Sequence, residues 1–173
     1  MEMNHNINGE MKSMIEINTY SEKDTLRLGK KIGSLAWPGM IILLEGDLGT
    51  GKTVLTRGLA RGLGIEEPIT SPTYTLIHQY QGRLPLYHFD IYRLNDAEEM
   101  YDLGYEEFFY GQGVTVVEWP ERMGYLRPNE YLGISIEKVP DNGVDKRNIR
   151  VAPVGRVYED FAKEWIKYDG ISS

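Results

Sequence analysis

Residues 46–53 carry the clearest chemical signal in this sequence. Their order, Gly-Asp-Leu-Gly-Thr-Gly-Lys-Thr, satisfies the pattern G-x-x-x-x-G-K-[ST] of a phosphate-binding loop at every defined position. Glycines let such a backbone turn its N–H groups inward around an anion. Lys52 supplies a positive charge for the β- and γ-phosphates, and the Thr53 hydroxyl supplies a ligand for Mg²⁺. The motif therefore predicts binding of a nucleoside triphosphate.

Hydrolysis of a bound triphosphate needs an acid and a group that orients water, and two carboxylates are candidates. Glu118 ends the apolar run 114–117, and an acid at the carboxyl end of a buried strand borders the ligand crevice of an α/β sheet. We expect it to hold Mg²⁺, with a surface acid at a strand exit as the alternative. Asp90 could hold the metal or position the attacking water. Its neighbour His88 has a plainer interpretation, a hydrogen bond inside the fold. Arg93 could contact the nucleotide or a partner, but an ion pair with a local acid is the plainer interpretation.

A hydroxyl-rich segment, residues 71–75 with the sequence Ser-Pro-Thr-Tyr-Thr, follows the loop helix. GTPases place a switch segment at this spacing, and a threonine there senses the γ-phosphate and Mg²⁺. Thr73 and Thr75 are the candidates for that role. A turn whose hydroxyls cap backbone groups explains the same residues equally well. Trp119 either stacks near the nucleotide or fills the rim of the pocket.

Composition limits the class of protein. The 173 residues are 41% hydrophobic and 26% charged, which is ordinary for a globular protein. The absence of cysteine excludes disulfides, thiolate metal sites and cysteine nucleophiles. A net charge of −7 disfavours non-specific nucleic-acid binding, and leaves open a role in RNA metabolism through partner proteins. No apolar run approaches a membrane span, and residues 1–13 lack a signal core, so we expect a cytoplasmic protein that does not enter the membrane.

The elements that must position these residues alternate between strands and helices. A buried strand at 40–45 enters the phosphate loop, and a helix at 54–63 leaves it. Further elements are a strand at 14–18, a helix at 22–35 capped by Ser21 with Asp24 as its capping partner, strands on both sides of a turn at 81–83, an acidic helix from Asp96 to Leu103, a strand at 114–118, a helical turn at 121–125, strands at 131–137 and 148–152, and a helix at 157–168.

This order predicts one α/β domain over residues 14–173, preceded by a flexible extension at 1–13. The domain should be a three-layer P-loop NTPase with a mixed, mostly parallel central sheet.

Taken together, the motifs resemble the bacterial TsaE (YjeE) family. The resemblance runs from about Ile15 to Ile136 and rests on the phosphate loop and on four further segments in the family's order and spacing. Those segments are Thr-Arg-Gly-Leu-Ala at 56–60, Ser-Pro-Thr-Tyr-Thr-Leu at 71–76, Tyr-His-Phe-Asp-Ile-Tyr-Arg-Leu at 87–94 and Glu-Trp-Pro-Glu at 118–121. The resemblance implies an ATPase needed for threonylcarbamoyladenosine modification of tRNA.

The same resemblance implies partners and a role among them. TsaD and TsaB transfer the threonylcarbamoyl group to adenosine 37 of tRNA, and a TsaE protein hydrolyses ATP to reset their complex between rounds. It would meet tRNA only indirectly, through that complex. Hydrolysis that is weak alone and stimulated by the partners would fit this role.

The resemblance also implies a role for individual residues. Lys52, Asp90 and Glu118 would be the catalytic residues, and Thr53, Glu118 and Asp90 the residues around Mg²⁺. Thr73 and Thr75 would report on the γ-phosphate, Trp119 would lie beside the site and Ser21 would approach the base. The residues around the phosphates would be Gly49, Thr50, Gly51, Lys52, Thr53 and Val54.

Two other functions use the same loop. A small-molecule or protein kinase is one, although nucleotide kinases usually carry an arginine-rich lid, and here the arginines are spread out with no lid insertion. A nucleotide-sensing switch module without useful turnover is the other. The sequence has no Asn-Lys-x-Asp, the motif that GTPases use for guanine, which favours adenine.

Overall fold

The fold is organised around one seven-stranded sheet. The structure is a computed structural model that describes residues 4–5, 11–12, 14–72, 75–140 and 145–167. The strands are β1 (Asn4–His5), β2 (Met11–Lys12), β3 (Ile15–Thr19), β4 (Ile41–Glu45), β5 (Ile77–Tyr80), β6 (Leu86–Asp90), β7 (Val114–Glu118), β8 (Tyr131–Lys138) and β9 (Arg147–Val154). The helices are α1 (Glu22–Leu35), α2 (Lys52–Gly62), α3 (Glu99–Asp102), α4 (Tyr105–Phe109), a 3₁₀ helix (Pro120–Leu126) and α5 (Arg156–Lys167).

Strand order in the sheet is β3-β9-β8-β4-β7-β6-β5, while β1 and β2 pair separately. The central strands β8, β4, β7 and β6 are parallel, whereas β9 and β5 run antiparallel to their neighbours. This confirms the mixed, mostly parallel sheet. In the register, Glu118 lies beside both Leu44 and Asp90. The phosphate loop and the two predicted acids therefore leave the sheet at the same edge.

Two apolar clusters, one on each face of the sheet, complete three layers. Helices α1, α2 and α5 cover one face, with Ile32, Leu59 and Trp165 among its buried residues. Helices α3, α4 and the 3₁₀ helix cover the other face, where Met100 and Phe109 are buried. The central strands are buried on both sides, which explains why their sequences are continuous apolar runs.

The loop helix α2 is fixed by close packing on α1. A Cβ on Gly29 would lie 2.1 Å from the Leu55 carbonyl oxygen, and a Cβ on Gly58 would lie 2.1 Å from the Leu26 carbonyl oxygen. Since a side-chain carbon cannot approach backbone oxygen so closely, only glycine permits this helix separation. This close packing therefore fixes the position of the first residues of α2 at the edge of the sheet.

Most predicted elements are confirmed, and the differences are local. Helix α1 has its predicted bounds, and the Ser21 hydroxyl accepts a hydrogen bond from the Asp24 N–H at 3.2 Å. The acidic helix is shorter than predicted: Asp96 accepts a hydrogen bond from the Glu99 N–H, but the helix begins only at Glu99 and ends at Asp102, one residue before Leu103. Helix α4, which follows, was not predicted.

Parts of the predicted pattern lie outside the described residues. These are the centre of the turn between β8 and β9, residues 141–144, and the end of the last helix at Tyr168. The prediction of a flexible extension at 1–13 stays a prediction. In the described ranges, no helix combines the length and apolarity needed to cross a bilayer.

Candidate nucleotide-binding site

Between β4 and α2 the backbone makes the turn that the glycine pattern predicts. Gly46, Gly49 and Gly51 have φ angles of 150°, 75° and 114°, values that favour glycine. A Cβ on Gly46 would also lie 2.7 Å from the Ile136 carbonyl oxygen. None of the described residues lies within 4 Å of the position of a Cβ on Gly51, so the backbone borders open space there. Because α2 begins at Lys52, its positive end faces the same space.

Lys52 is held at the base of this loop. Its side chain is buried, and Nζ donates to the carbonyl oxygens of Gly46 at 2.5 Å and Asp47 at 2.9 Å. Burial lowers the pKa of Lys52, while the negative charges of Glu118 and Asp90 act in the opposite direction. The bonds to neutral carbonyl oxygens leave the positive charge available for a phosphate.

Thr53, in the first turn of α2, connects the loop helix to the segment that follows. Its hydroxyl lies 3.0 Å from the hydroxyl of Ser71. The predicted metal ligand is therefore within hydrogen-bond distance of the first residue of the hydroxyl-rich segment. Thr73 lies outside the described residues, so its predicted role stays a prediction, and Thr75 is exposed.

Asp90, at the end of β6, is half-buried at the same edge. Its Oδ1 accepts a hydrogen bond from the Tyr92 N–H at 3.2 Å. Burial raises the pKa of the Asp90 carboxyl, and the charge of Glu118 raises it further, against the Tyr92 N–H and the charges of His88 and Lys52. A carboxylate with a raised pKa holds a proton more readily than an exposed one, which suits a group that handles water.

Glu118 is a buried carboxylate with a buried partner. Its Oε1 lies 2.9 Å from His88 Nε2, and the two side chains are 4% and 0% exposed. An ionised carboxylate only accepts hydrogen bonds, so His88 Nε2 carries the proton and donates it. His88 Nδ1 is buried and has no hydrogen-bond partner among the described residues. The imidazole therefore holds one carboxylate oxygen of Glu118 in place.

Trp119 covers the lysine from the other side. Its ring centroid lies 4.5 Å from Lys52 Nζ and 4.8 Å from the ring of Tyr92. The φ of Trp119 is 64°, a left-handed conformation that is uncommon for a bulky residue and typical of strained sites. The unusual backbone turns the chain sharply after Glu118 and places the indole at the mouth of the site.

These groups surround one cavity of about 510 Å³, a volume typical of small-molecule sites. The structure brings together most of the predicted site residues around it. The predicted residues that line it are Gly49, Gly51, Lys52, Thr53, Val54, Asp90, Glu118 and Trp119.

Three predicted residues lie elsewhere. Thr50 is on the outer side of the loop, where its hydroxyl donates to the Asp47 carbonyl oxygen. The Ser21 hydroxyl caps α1, and neither Ser21 nor Thr75 lines the cavity. Their predicted contacts with a nucleotide stay predictions.

Comparison with known proteins agrees with this site. The family model described as threonylcarbamoyl adenosine biosynthesis protein TsaE matches residues 19–149. The chain belongs to the TsaE family. The description of this family names threonylcarbamoyladenosine biosynthesis. The resemblance seen in the motifs is therefore confirmed.

Individual TsaE proteins are similar over most of their length. The chain is 44% identical over 156 residues to the tRNA threonylcarbamoyladenosine biosynthesis protein TsaE of Bacillus subtilis (strain 168), covering 90% of this chain and 96% of that protein. It is 46% identical over 132 residues to the protein of the same name from Treponema pallidum, covering 76% and 96%. The crystal structure of Bacillus subtilis YdiB superposes with a TM-score of 0.79 at 38% identity, covering 93% of this chain and 99% of that one. The P-loop NTPase-like α/β fold is therefore confirmed.

The donor set of this TsaE-family chain fits magnesium. Mg²⁺ prefers oxygen ligands and keeps several waters, so it needs only one or two protein groups beside phosphate oxygens. The Thr53 hydroxyl and the carboxylates of Asp90 and Glu118 supply such oxygens around the cavity. The described residues contain no group of three or more His, Cys, Asp or Glu side chains that could hold a metal ion. A cation here would thus depend on the nucleotide for part of its shell.

Sequence reasoning missed two partnerships in the site. His88 had the interpretation of a hydrogen bond inside the fold, which is confirmed, but its partner is the predicted metal ligand Glu118. Tyr92 packs on Trp119, although only Trp119 was a candidate. The alternation of His88, Asp90 and Tyr92 was the available signal, since a strand predicted over 84–93 would place all three on one face. That strand ends at Asp90, so Tyr92 lies beyond it.

Proposed function

We propose that this chain is a magnesium-dependent ATPase. The observation that carries the proposal is the convergence of a phosphate loop, its lysine, a hydroxyl and two carboxylates on one cavity. Phosphate loops bind nucleotides in many enzymes, but the second acid and the group that orients water are what hydrolysis adds. Membership of the TsaE family and the lack of a guanine motif favour ATP as the nucleotide.

Each residue has a role that its position supports. Lys52 neutralises phosphate oxygens. Thr53 and Glu118 would hold the metal, which when bound would supply positive charge beside the phosphates. Asp90 orients the attacking water and takes up its proton, and the raised pKa of Asp90 assists this. His88 fixes Glu118, and Trp119 limits the access of solvent to Lys52.

We further propose that hydrolysis serves a complex with TsaB and TsaD. In this role the chain does not perform the threonylcarbamoyl transfer but resets the complex between rounds. Membership of the TsaE family supports this role, and Thr75, which is exposed and does not line the cavity, is a predicted γ-phosphate sensor that a partner would have to bring to the site. Partner binding would then complete the site and raise turnover.

Phosphate release from ATP tests both parts of the proposal. The purified protein should release phosphate slowly with Mg²⁺, stop when EDTA is added, and turn over faster with the TsaB–TsaD pair. Lys52→Ala should lose ATP binding and turnover, whereas Lys163→Ala, the same change on an exposed residue of α5, should match the wild type.

Three outcomes would count against the proposal. Normal ATP affinity in Lys52→Ala would show that the phosphate loop does not bind ATP. If the TsaB–TsaD pair did not stimulate turnover, the proposed partnership would be wrong. Transfer of the γ-phosphate to a nucleoside or metabolite, rather than to water, would favour the kinase alternative.

A further inference from the structure

An arginine at the start of a distant strand contacts the phosphate loop from its outer side. Arg147 opens β9, and its Nε donates to the carbonyl oxygen of Thr50 at 2.7 Å. Its Nη1 donates to the Lys146 carbonyl oxygen at 3.1 Å and pairs with Asp145 Oδ1 at 2.5 Å. The side chain of Arg147 is 13% exposed. The guanidinium is therefore fixed by its own turn and meets the loop in one orientation.

The contact acts on a peptide unit of the loop that is flanked by a glycine with positive φ. Thr50 stands between Gly49 and Gly51, both with positive φ. The peptide that joins Thr50 to Gly51 rotates about ψ of Thr50 and φ of Gly51, and glycine gives the second of these angles unusual freedom. A bond to the carbonyl oxygen of Thr50 removes that freedom.

The geometry of a peptide unit then sets the direction of the Gly51 N–H. In a planar trans peptide the C=O and the N–H point to opposite sides. With the Thr50 oxygen held towards β9, the Gly51 N–H points away from β9, and Gly51 lines the cavity. An N–H donor that already points at the ligand binds a phosphate oxygen without a reorganisation cost.

We propose that Arg147 is a positioning residue for the phosphate loop, which holds the Thr50–Gly51 peptide so that the Gly51 N–H faces the nucleotide phosphates. The inference rests on the proposed binding of nucleotide at this loop. Arg147 does not touch the nucleotide; it acts through the backbone of Thr50. If the peptide turned freely, only a fraction of molecules would present the donor, and the apparent affinity would fall by that fraction.

Arg150 offers a matched control on the same strand. It too is an arginine that pairs with carboxylates, but it is 39% exposed, and its partners Glu16 and Glu137 lie on β3 and β8. Arg147→Met and Arg150→Met thus remove the same charge from β9, and only the first removes the bond to the loop. Arg147→Lys keeps the charge and one donor, and serves if the methionine variant fails to fold.

Calorimetric titration with ADP, which avoids turnover, tests the inference. We expect Arg147→Met to weaken the Kd for ADP by about tenfold, Arg147→Lys to fall between Arg147→Met and wild type, and Arg150→Met to stay within about twofold of wild type. In steady-state ATP hydrolysis, the loss should appear in KM, with kcat close to that of the wild type. A purely structural role would lower the midpoint of thermal unfolding and leave Kd and KM unchanged.

The failures of the two proposals are distinguishable. If the wild type binds no ADP, the proposed function fails and this inference fails with it. The other case is that the wild type binds ADP, and Arg147→Met and Arg147→Lys both bind it with a Kd within about twofold of that of Arg150→Met. The proposed function then stands, and the positioning role of Arg147 is wrong.

Discussion

Replacing His88 with leucine tests how the site holds its buried acid. The imidazole is fully buried, and its Nε2 donates to Glu118 Oε1 at 2.9 Å. Leucine has a similar bulk but no donor. The variant therefore leaves a carboxylate that is 4% exposed without the partner of one oxygen.

The structure sets the size of two separate effects. Leaving a buried polar group without its hydrogen-bond partner costs about 1–3 kcal/mol, and more for a charged group, so we expect about 2–3 kcal/mol in the free energy of unfolding. In a chain of this size that corresponds to a fall of roughly 4–12 °C in the unfolding midpoint. Loss of a group that orients a metal ligand lowers activity by about 10–100-fold, and we expect the same for ATP turnover.

His88→Gln separates the hydrogen bond from the shape of the ring. Its amide nitrogen can donate to Glu118, so turnover should recover to within about threefold of the wild type. Thermal unfolding and phosphate release at a temperature where all three proteins are folded give the two readouts. ADP affinity without Mg²⁺ should be the same in all three, because His88 does not line the cavity. Wild-type turnover in His88→Leu, or equal losses in both variants, would refute the positioning of Glu118 by His88.

Two further predictions concern stability. Burial raises the pKa of Asp90, so the folded state binds that proton more tightly than the unfolded chain, and stability falls as the pH rises from the ordinary range of an aspartate through the folded pKa. Asp90→Asn should therefore unfold at a higher temperature than the wild type at pH 7 while losing turnover; equal or lower stability in a scan at pH 7 would contradict this. Gly58→Ala would place a Cβ 2.1 Å from the Leu26 carbonyl oxygen and should cost about 1–3 kcal/mol in urea unfolding, despite the better helix propensity of alanine. Ser34→Ala, an exposed change on α1, is its control, and equal stability of the two variants would show that the helices can separate at little cost.

Local patterns predicted much of this fold and site. Capping by Ser21 and Asp24 marks the start of α1, and the apolar runs of β4 and β7 mark buried strands. The phosphate loop is predictable for the same reason, since its glycines, lysine and threonine act within eight consecutive residues. Interactions that close over a short stretch of chain leave their signal in that stretch.

Partnerships between distant segments could not be predicted in this way. His88 meets Glu118 only because β6 and β7 pair in one register, and Arg147 meets Thr50 across 97 positions of sequence. The glycines at the crossing of α1 and α2 are ordinary helix positions until the other helix is placed against them. Helix α4 was missed because it spans only five residues, too few for a periodic apolar pattern to mark it.

Phosphate release in a single turnover tests the central claim, that one cavity both binds ATP and hydrolyses it. The wild type and Glu118→Gln are each loaded with ATP and Mg²⁺ together with the TsaB–TsaD pair, and inorganic phosphate is followed over time. We expect ATP to bind to both proteins. The wild type should release phosphate, and Glu118→Gln should release it more slowly by about a hundredfold or more. Equal rates of release in the two proteins, or no release by the wild type, would contradict the account.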